Sequence, residues 1–278
     1  MFEILEKRNL APMIYKMVFK APEIAAKARA GQFAILRIDD GGERIPLTIA
    51  DVNSFSESIT MVFQITGLTT EKLSVLEAGE YIKDAVGPLG KPSRVENFGT
   101  VACVGGGVGI AAVYPIAKAL EKADNQVISL LGARSEGHLI FREELQRISS
   151  EFYAATEDGS FGSKGFITDP LKELLGKRKI DRIVTVGPGI MMKAVAEVSR
   201  PFGIPTVASL NPIMVDGTGM CGACRVTVGQ EIKFACVDGP EFDAHEVKWD
   251  EFLTRLNAFK EEERLAMDAY HKEKCVNC

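Results

Sequence analysis

Apolar and polar residues alternate along the first part of the chain in the way that half-buried β-strands require. Strands are predicted over residues 13–21, 33–38 and 58–65. The turn Asp39-Asp40-Gly41-Gly42 follows the second of them. Several short strands at this spacing predict an antiparallel β-barrel, interrupted by one short helix over 70–77. The Gly- and Pro-rich loop 87–92 ends the pattern, so we place a first domain at residues 1–97.

From residue 100 onward, strands alternate with amphipathic helices. Strands are predicted near 101–104, 126–131, 152–156, 182–186 and 206–210, and helices over 111–122, 142–149, 169–175 and 191–202. Repeated units of this length indicate a doubly wound α/β domain, in which helices cover both faces of a parallel sheet. We place this domain at residues 98–211. The last segment, 212–278, is irregular around its cysteines and then predicts a charged amphipathic helix over 249–270.

Composition excludes several classes of protein. The 278 residues are 46% hydrophobic and 26% charged, which is typical of globular domains, and the net charge of -5 argues against a nucleic-acid surface. The N-terminus does not resemble a secretory signal, and the longest weakly polar run, 101–117, contains four glycines and a proline, so we expect a cytoplasmic protein without a membrane span. Five of the six cysteines follow Met220, which points to a metal site and not to a disulfide framework.

Three glycine turns follow predicted strands of the α/β domain. The first opens a helix, so its backbone N–H groups can face a pyrophosphate, although Ile110 replaces the third glycine of the usual fingerprint and no acidic residue ends the second strand. Carboxyl ends of parallel strands share one edge, so the three turns together predict a nucleotide cleft. The candidate residues are Gly105, Gly106, Gly107, Val108, Gly109, Glu157, Asp158, Gly187 and Pro188. The alternative is that the glycines only permit tight turns.

The cysteine loop is the most specific local motif. Its spacing, Asp216-x4-Cys221-x2-Cys224-x11-Cys236, matches the plant-type [2Fe–2S] pattern with aspartate in the first ligand position. We therefore predict Asp216, Cys221, Cys224 and Cys236 as ligands, while Asp216 as a simple turn residue remains open. A zinc site that joins Cys221 and Cys224 to Cys275 and Cys278 is the alternative, although 50 residues separate the pairs. No histidine accompanies a recognisable nucleophile, so we predict no catalytic acid or base.

The segment Arg44-Ile45-Pro46-Leu47-Thr48 combines a guanidinium suited to a diphosphate with a hydroxyl suited to a ring edge. By itself it is a weak signal, and the alternative is that Arg44 is a solvated charge before a strand. Further along the chain come Gly67-Leu68-Thr69-Thr70, Gly87-Pro88-Leu89-Gly90 and the glycine turns. In this order of motifs, the chain resembles the ferredoxin reductase family. That resemblance implies an FAD-binding barrel followed by a nicotinamide nucleotide domain. The FAD residues that it implies are Arg44, Pro46, Leu47, Thr48, Gly67, Thr69, Thr70, Gly87, Pro88 and Leu89.

The stretch 209–222 narrows this resemblance. It is similar to electron-transfer subunits of dihydroorotate dehydrogenases, which have cysteine where Asp216 stands, and more closely to small subunits of electron-bifurcating NADH-dependent reduced ferredoxin:NADP oxidoreductases, related to subunits also described as sulfide dehydrogenase. The resemblance implies FAD, NAD(H) and a [2Fe–2S] cluster. It also implies a heterodimer with a larger subunit that carries a second flavin and [4Fe–4S] clusters and handles ferredoxin and NADP(H).

Two alternatives stay open for the function. One is the electron-transfer subunit of a dihydroorotate dehydrogenase, and the other is a redox-sensing subunit without turnover. The sequence also contains opposing signals for NAD(H) and NADP(H). Glu157 and Asp158 would repel the 2′-phosphate of NADP(H), whereas Arg134-Ser135 would attract it. We expect NAD(H).

Overall fold

The computed structural model describes residues 1–276 and contains two seven-stranded sheets. The first is antiparallel, with the order β6-β1-β2-β5-β4-β3-β7, and it confirms the predicted barrel as a nearly closed sheet. Its strands are β1 (Phe2–Ala11), β2 (Ile14–Lys20), β3 (Phe33–Arg37), β4 (Arg44–Asn53), β5 (Ser58–Gln64), β6 (Tyr81–Ile82) and β7 (Asp84–Leu89), and its helices are α1 (Pro22–Ala25) and α2 (Leu68–Val75).

Alternate residues of these strands fill the barrel core. Met17 of β2 lies opposite Met61 of β5, Phe19 lies opposite Ile59, and all four side chains are fully buried. Burial of each such side chain stabilises the fold by roughly 1.5–3 kcal/mol. The same core contains Leu36 of β3 and Ile49 of β4, so it also supports the strand pair that faces the candidate site.

The second sheet confirms the doubly wound α/β prediction. Its order is β11-β10-β9-β8-β12-β13-β16, where β16 is Glu241–Asp243 of the C-terminal segment. The order of the parallel strands reverses between β8 and β12. Ligands of such sheets bind beyond the carboxyl ends of the strands at this reversal. The strands are β8 (Thr100–Gly106), β9 (Gln126–Ala133), β10 (Glu151–Thr156), β11 (Ser163–Lys164), β12 (Arg182–Val186) and β13 (Thr206–Ser209), with helices α3 (Gly109–Lys122), α4 (Arg142–Ile148), α5 (Thr168–Lys177) and α6 (Gly189–Ser199).

The C-terminal segment is tied to the second sheet. It forms a hairpin of β14 (Arg225–Val228) and β15 (Glu231–Phe234), and then β16 (Glu241–Asp243) pairs antiparallel with β13. The single helical region predicted over 249–270 is two helices, α7 (Trp249–Leu256) and α8 (Lys260–Val276). Helix α7 packs on α6, whereas α8 reaches α2 of the barrel, so a break between them redirects the chain.

Among the described residues, no helix combines the length and the apolar character that crossing a membrane requires.

Candidate functional site

The glycine turns of β8 and β12 meet at the point where the sheet order reverses. A Cβ placed on Gly109, the first residue of α3, would lie 2.6 Å from Gly187 Cα and 2.6 Å from Val186 O. Glycine at 109 therefore lets the start of α3 approach the end of β12. The N–H groups of Gly107, Ile110 and Ala111 donate to backbone carbonyls. The donors that this junction can offer to an anionic ligand are therefore the N–H groups of Val108 and Gly109.

An inner cleft of about 470 Å³ opens between this junction and the barrel. Its walls are Pro46, Leu47 and Thr48 of β4, the turn Gly106–Gly109, the pair Gly187-Pro188, and Ser209 and Asn211 after β13. The structure thus brings the Pro46–Thr48 motif and two of the three glycine turns to one cavity. Gly105 does not line it; a Cβ there would lie 3.0 Å from Val113 Cγ1, so this glycine serves the packing of α3.

An outer cleft of about 750 Å³ continues from the inner one, and both are lined by Ile45, Thr66 and Thr70. The barrel contributes Arg37, Glu43, Arg44 and the start of α2 over Gly67, Leu68, Thr69 and Thr70, and the chain after β13 contributes Ile213, Met214 and Val215. Four residues of the C-terminal helical region, Phe259, Glu262, Glu263 and Ala266, complete the wall. The joined clefts form one long groove between the barrel and the nucleotide sheet.

Two arginines lie side by side at the entrance of the outer cleft. Arg37 and Arg44 are paired residues of β3 and β4. Arg37 is neutralised by Asp84, whose Oδ2 accepts a 2.7 Å hydrogen bond from Arg37 Nε. Among the side chains that the structure describes, none forms a hydrogen bond or ion pair with the guanidinium of Arg44. An exposed guanidinium without a partner, beside the N-terminus of α2, is suited to bind phosphate.

Hydrogen bonds fix the first turn of α2 beside Arg44. Thr70 Oγ1 accepts hydrogen bonds from the backbone N–H groups of Thr66, at 2.9 Å, and Gly67, at 3.1 Å. Thr69 Oγ1 donates to Glu43 Oε2 at 3.0 Å. The Gly67–Thr70 motif thus shapes the cleft wall. The N–H of Glu71 already donates to Gly67 O, so the donors that α2 can offer to a ligand are those of its first residues, from Leu68 onward.

The motif Gly87, Pro88 and Leu89 lines neither cleft. These residues belong to β7, and a Cβ on Gly87 would lie 2.8 Å from Ala34 Cβ of the neighbouring strand. Leu89 faces the cysteine loop, because a Cβ on Gly217 would lie 2.7 Å from Leu89 Cδ1. In the structure this motif supports the barrel wall and positions the cysteine loop.

The turn with Glu157 and Asp158 also lies outside both clefts, at the same edge of the sheet. Asp158 Oδ1 accepts hydrogen bonds from Ser160 Oγ, at 2.6 Å, and from Ser160 N, at 2.9 Å, and these bonds lower the pKa of Asp158. Ser160 Oγ in turn accepts a 2.7 Å bond from Glu136 N, and Asp158 N donates to Arg134 O at 3.2 Å. The acidic turn and Arg134 therefore lie in adjacent loops.

The cysteine loop places two thiols in contact. Cys224 and Cys236 are buried, and their sulfur atoms are 3.2 Å apart, well beyond the roughly 2.0 Å of a disulfide. Cys221 is exposed. Gly217, Gly219 and Gly222 have φ of +75°, +85° and +68°, which only glycine adopts readily, so the backbone can turn tightly around the sulfurs.

Asp216 holds this loop through both carboxylate oxygens. Oδ1 accepts from Thr218 N at 2.8 Å and Oδ2 accepts from Cys221 N at 2.9 Å, and the bond from Thr218 contributes most to lowering the pKa of Asp216. Each carboxylate oxygen has a second lone pair that these bonds leave free. Asp216 can therefore shape the turn and still donate an oxygen to a metal.

The chemistry of the loop fits an iron–sulfur cluster. Burial, and then the contact with Cys224, raises the pKa of Cys236 to about 12, so a thiolate there needs the positive charge that a metal centre supplies. Among the residues that the structure describes, no three His, Cys, Asp or Glu side chains converge on a single metal-binding point. Cys224 and Cys236 meet, and Asp216 is bonded to the backbone of Cys221. The zinc alternative depends on the Cys275 side chain and on Cys278, which lie outside the described part of the chain.

Sequence reasoning missed part of the groove. Ser209 and Asn211 follow β13 at the same carboxyl edge, so the rule that located the glycine turns could have found them. Phe259 and Ala266 also line the outer cleft, but no sequence signal could have identified them. A helical pattern does not indicate which part of the protein the helix covers.

Comparison with known proteins agrees with this architecture. Residues 103–197 match the family described as the oxidoreductase NAD-binding domain, and residues 211–248 match the iron–sulfur cluster binding domain of dihydroorotate dehydrogenase B. The chain is 49% identical, over 97% of its length and 95% of the relative, to a dihydroorotate dehydrogenase B electron transfer subunit homolog from Thermotoga maritima. It is 33% identical to the electron transfer subunit of Bacillus pumilus, over 88% of this chain and 96% of that one.

Among solved structures, the chain is similar to one in the structure of an NADH-dependent reduced ferredoxin-NADP oxidoreductase, studied for flavin-based electron bifurcation. The identity is 48%, the TM-score is 0.92, and the match covers 97% of this chain and 98% of that one. A ferredoxin NADP+ reductase from Neisseria gonorrhoeae, with bound FAD and NADP, shares the fold at 18% identity and a TM-score of 0.59, over 73% of this chain and 90% of that one.

The fold and the site therefore define a ferredoxin-reductase-like electron-transfer protein with an NAD-binding domain and an iron–sulfur-binding segment. The chain belongs to the family of dihydroorotate dehydrogenase B electron-transfer subunits and their homologues. This confirms the resemblance predicted from the motifs, and with it the predictions of NAD(H) and iron–sulfur binding.

Proposed function

We propose that one FAD occupies the joined clefts, with Pro46, Leu47 and Thr48 along its ring system and Arg44 and the N-terminus of α2 at its diphosphate. The turns Gly106–Gly109 and Gly187-Pro188 would hold NAD(H) at the opposite wall of the inner cleft. Support comes from Arg44, whose side chain has no partner among the described residues. It lines the outer cleft next to Ile45, which lines both clefts.

The cluster would be held by Asp216, Cys221, Cys224 and Cys236. The observation that carries electron transfer is the register of β3 and β4: Ile35 contacts the cysteine loop at Gly217 and is paired with Pro46, which lines the inner cleft. Neighbouring strands are about 4.8 Å apart, so one strand pair separates the two cofactor sites. When bound, a flavin exchanges two electrons with a nicotinamide as hydride and single electrons with an iron–sulfur cluster.

This chain's own residues bind and orient in that process. Arg44 and the N–H groups of α2 supply positive potential to a diphosphate, and the glycines at 106–109 let a nucleotide approach the backbone. No side-chain acid or base is needed for hydride transfer.

We further propose that the chain works as the small subunit of an electron-bifurcating ferredoxin, NAD(H) and NADP(H) transhydrogenase, beside a larger subunit with a flavin and [4Fe–4S] clusters, in the cytoplasm. The 48% identity over nearly the full length of the ferredoxin-NADP oxidoreductase chain supports this role. Met220, which is 86% exposed, and Ile232, which is 65% exposed, offer apolar surface for such a partner near the cysteine loop. A second candidate is the electron-transfer subunit of a dihydroorotate dehydrogenase, which the name of the Thermotoga maritima relative favours.

An anaerobic titration of the full chain, reconstituted with FAD, iron and sulfide, tests the core of the proposal. NADH should bleach the flavin absorbance and produce the EPR signal of a reduced cluster. Flavin reduction without the cluster signal would refute the proposed route between the two cofactor sites.

Purification of the native complex, with mass spectrometry of the proteins that copurify, tests the assembly. In the purified complex, oxidation of NADH should depend on electron exchange with both ferredoxin and NADP(H). The complex should leave dihydroorotate unchanged. Dihydroorotate oxidation with NAD+ would establish the second candidate, and a homogeneous monomer with full transhydrogenase activity would exclude the larger subunit.

A further inference from the structure

The C-terminal helix α8 forms part of the outer cleft, although it is remote in sequence from the barrel. Its contributions, with the residue just before it, are Phe259, Glu262, Glu263 and Ala266. The spacings of three, four and seven residues from Phe259 place all four on one stripe of the helix. One face of α8 is therefore presented along its first two turns to the cleft.

The helix is attached on both sides of that cleft. Before it, α7 packs on α6 of the nucleotide sheet, and Lys193 Nζ contacts Asp250 Oδ1 at 2.7 Å. Farther along α8, His271 Nε2 lies 2.9 Å from both carboxylate oxygens of Glu71. Glu71 belongs to α2, the helix whose N-terminus borders the proposed diphosphate position. The α7–α8 unit therefore spans from the nucleotide sheet to the barrel across the outer cleft.

The outer cleft carries charges of both signs, and Glu43 of the barrel lines it beside Arg44. Arg44 is suited to a diphosphate, whereas Glu262 and Glu263 are carboxylates that accept hydrogen bonds and repel anions. Phe259 adds an apolar ring that is 54% exposed. The wall formed by α8 thus suits an uncharged nucleoside that lies beyond the phosphates.

We propose that α8 makes this site selective for FAD over FMN, by forming the outer wall of the compartment that holds the adenosine half. This inference rests on the proposed binding of flavin in the joined clefts. FMN ends at its first phosphate and would reach Arg44 without entering the compartment, so α8 should contribute to binding of FAD and not of FMN.

Affinities of the full chain for FAD and FMN, measured by fluorescence after reversible removal of the flavin, test the role of α8. Ala266→Trp should fill the compartment and weaken FAD binding by about tenfold or more, while FMN binding changes by less than about twofold. Leu265→Trp is the matched control, because Leu265 is the neighbouring residue, is 54% exposed and lies outside the cleft lining.

Phe259→Ala is a second variant, which removes contact instead of adding bulk and avoids a packing clash. It should weaken FAD binding by at least about threefold and leave FMN unchanged. Wild-type affinity for FAD in both variants, or equal losses for FAD and FMN, would overturn the role of α8. A wild-type chain that binds neither flavin would instead refute the proposed function.

Discussion

At the scale of single residues, Arg44 is distinguished from its neighbour Arg37 by having no acidic partner within the described chain. Arg44→Ala should therefore weaken FAD binding with little effect on folding. Loss of a charge-assisted hydrogen bond of about 1.5–3 kcal/mol corresponds to roughly 10- to 150-fold in affinity. Equilibrium dialysis of FAD measures the loss, and Arg8→Ala, at an exposed arginine of β1, is the control. Full FAD retention by Arg44→Ala would remove the phosphate assignment.

Asp216 has two possible roles, as a ligand and as the residue that holds the turn, and two substitutions separate them. Asp216→Asn keeps an oxygen for the Thr218 N–H bond but loses the anionic donor, whereas Asp216→Cys loses those bonds but restores a thiolate ligand. If the carboxylate binds iron, the Cys variant should retain the cluster with an altered EPR signal, and the Asn variant should lose it. Iron content and EPR spectra measure both.

The opposite pattern would show that Asp216 only holds the turn. Serine variants of Cys275 and Cys278 serve as controls, and we expect them to keep wild-type iron content. If they lose the cluster while Asp216→Asn keeps it, the fourth ligand comes from the C-terminal residues.

Nucleotide preference depends on a few side chains at the edge of the second sheet. Glu157 and Asp158 lie in the loop next to Arg134, and the lowered pKa of Asp158 keeps that carboxylate negative at neutral pH. A 2′-phosphate would meet this negative charge, so NADH should reduce the flavin with a kcat/KM at least about tenfold above that of NADPH. Steady-state kinetics with both nucleotides decides the matter, and a preference for NADPH would contradict the prediction.

At the scale of elements, the junction of α3 with β12 depends on the absence of a side chain at Gly109. In Gly109→Ala the new methyl group would lie 2.6 Å from backbone atoms of Val186 and Gly187, so α3 must move away. We expect a loss of about 1–3 kcal/mol in the free energy of unfolding and weaker NADH binding. Gly176→Ala in α5 is the matched control, because a Cβ there meets nothing within 4 Å and should leave both quantities unchanged or slightly improved. Chemical denaturation and NADH titration measure the two effects.

At the scale of the whole molecule, Glu241 links three parts of the chain. It lies on β16, it accepts a hydrogen bond from Ser93 in the segment between the two sheets, and Gly31 of the barrel packs beside both. Burial raises the pKa of the Glu241 carboxyl, although Ser93 and Arg182 oppose this shift. The native state therefore holds this proton more tightly than the unfolded chain, whose glutamates titrate near about 4.3, and stability is lost as the pH rises through the raised value.

Glu241→Gln removes that titration and keeps an oxygen for the Ser93 bond. It should raise Tm at pH 8 relative to the unsubstituted chain, and the gain should shrink as the pH falls toward 4. Thermal unfolding across this pH range, with the exposed Glu121→Gln as control, gives the measurement. A gain that is constant with pH would contradict the assignment of the effect to ionisation.

Much of this architecture was predictable because its signals are local. The strand and helix periods predicted both sheets, since alternation and the 3.6-residue repeat follow directly from backbone geometry. The glycine turn at 105–109 could be placed at a ligand edge because the carboxyl ends of parallel strands always share one edge. The Asp216 to Cys236 spacing predicted a cluster loop because ligand spacing reflects the size of the bound group.

Other features were decided only by tertiary structure. The sequence gives no reason to distinguish Arg37 from Arg44. Only the strand pairing shows that Asp84 lies beside Arg37 and neutralises it. The resemblance implied a flavin contact for Gly87–Leu89, and this stays a prediction. Only the structure shows that the motif belongs to β7, paired with β3, and that Leu89 packs beside Gly217 of the cysteine loop. The amphipathic pattern of α8 indicates that one face of the helix packs against other residues, but it does not indicate which ones. The helix reaches the outer cleft only because the break after α7 directs it there. Local sequence fixes backbone periodicity and ligand spacing, whereas contacts between remote segments depend on how the whole chain packs.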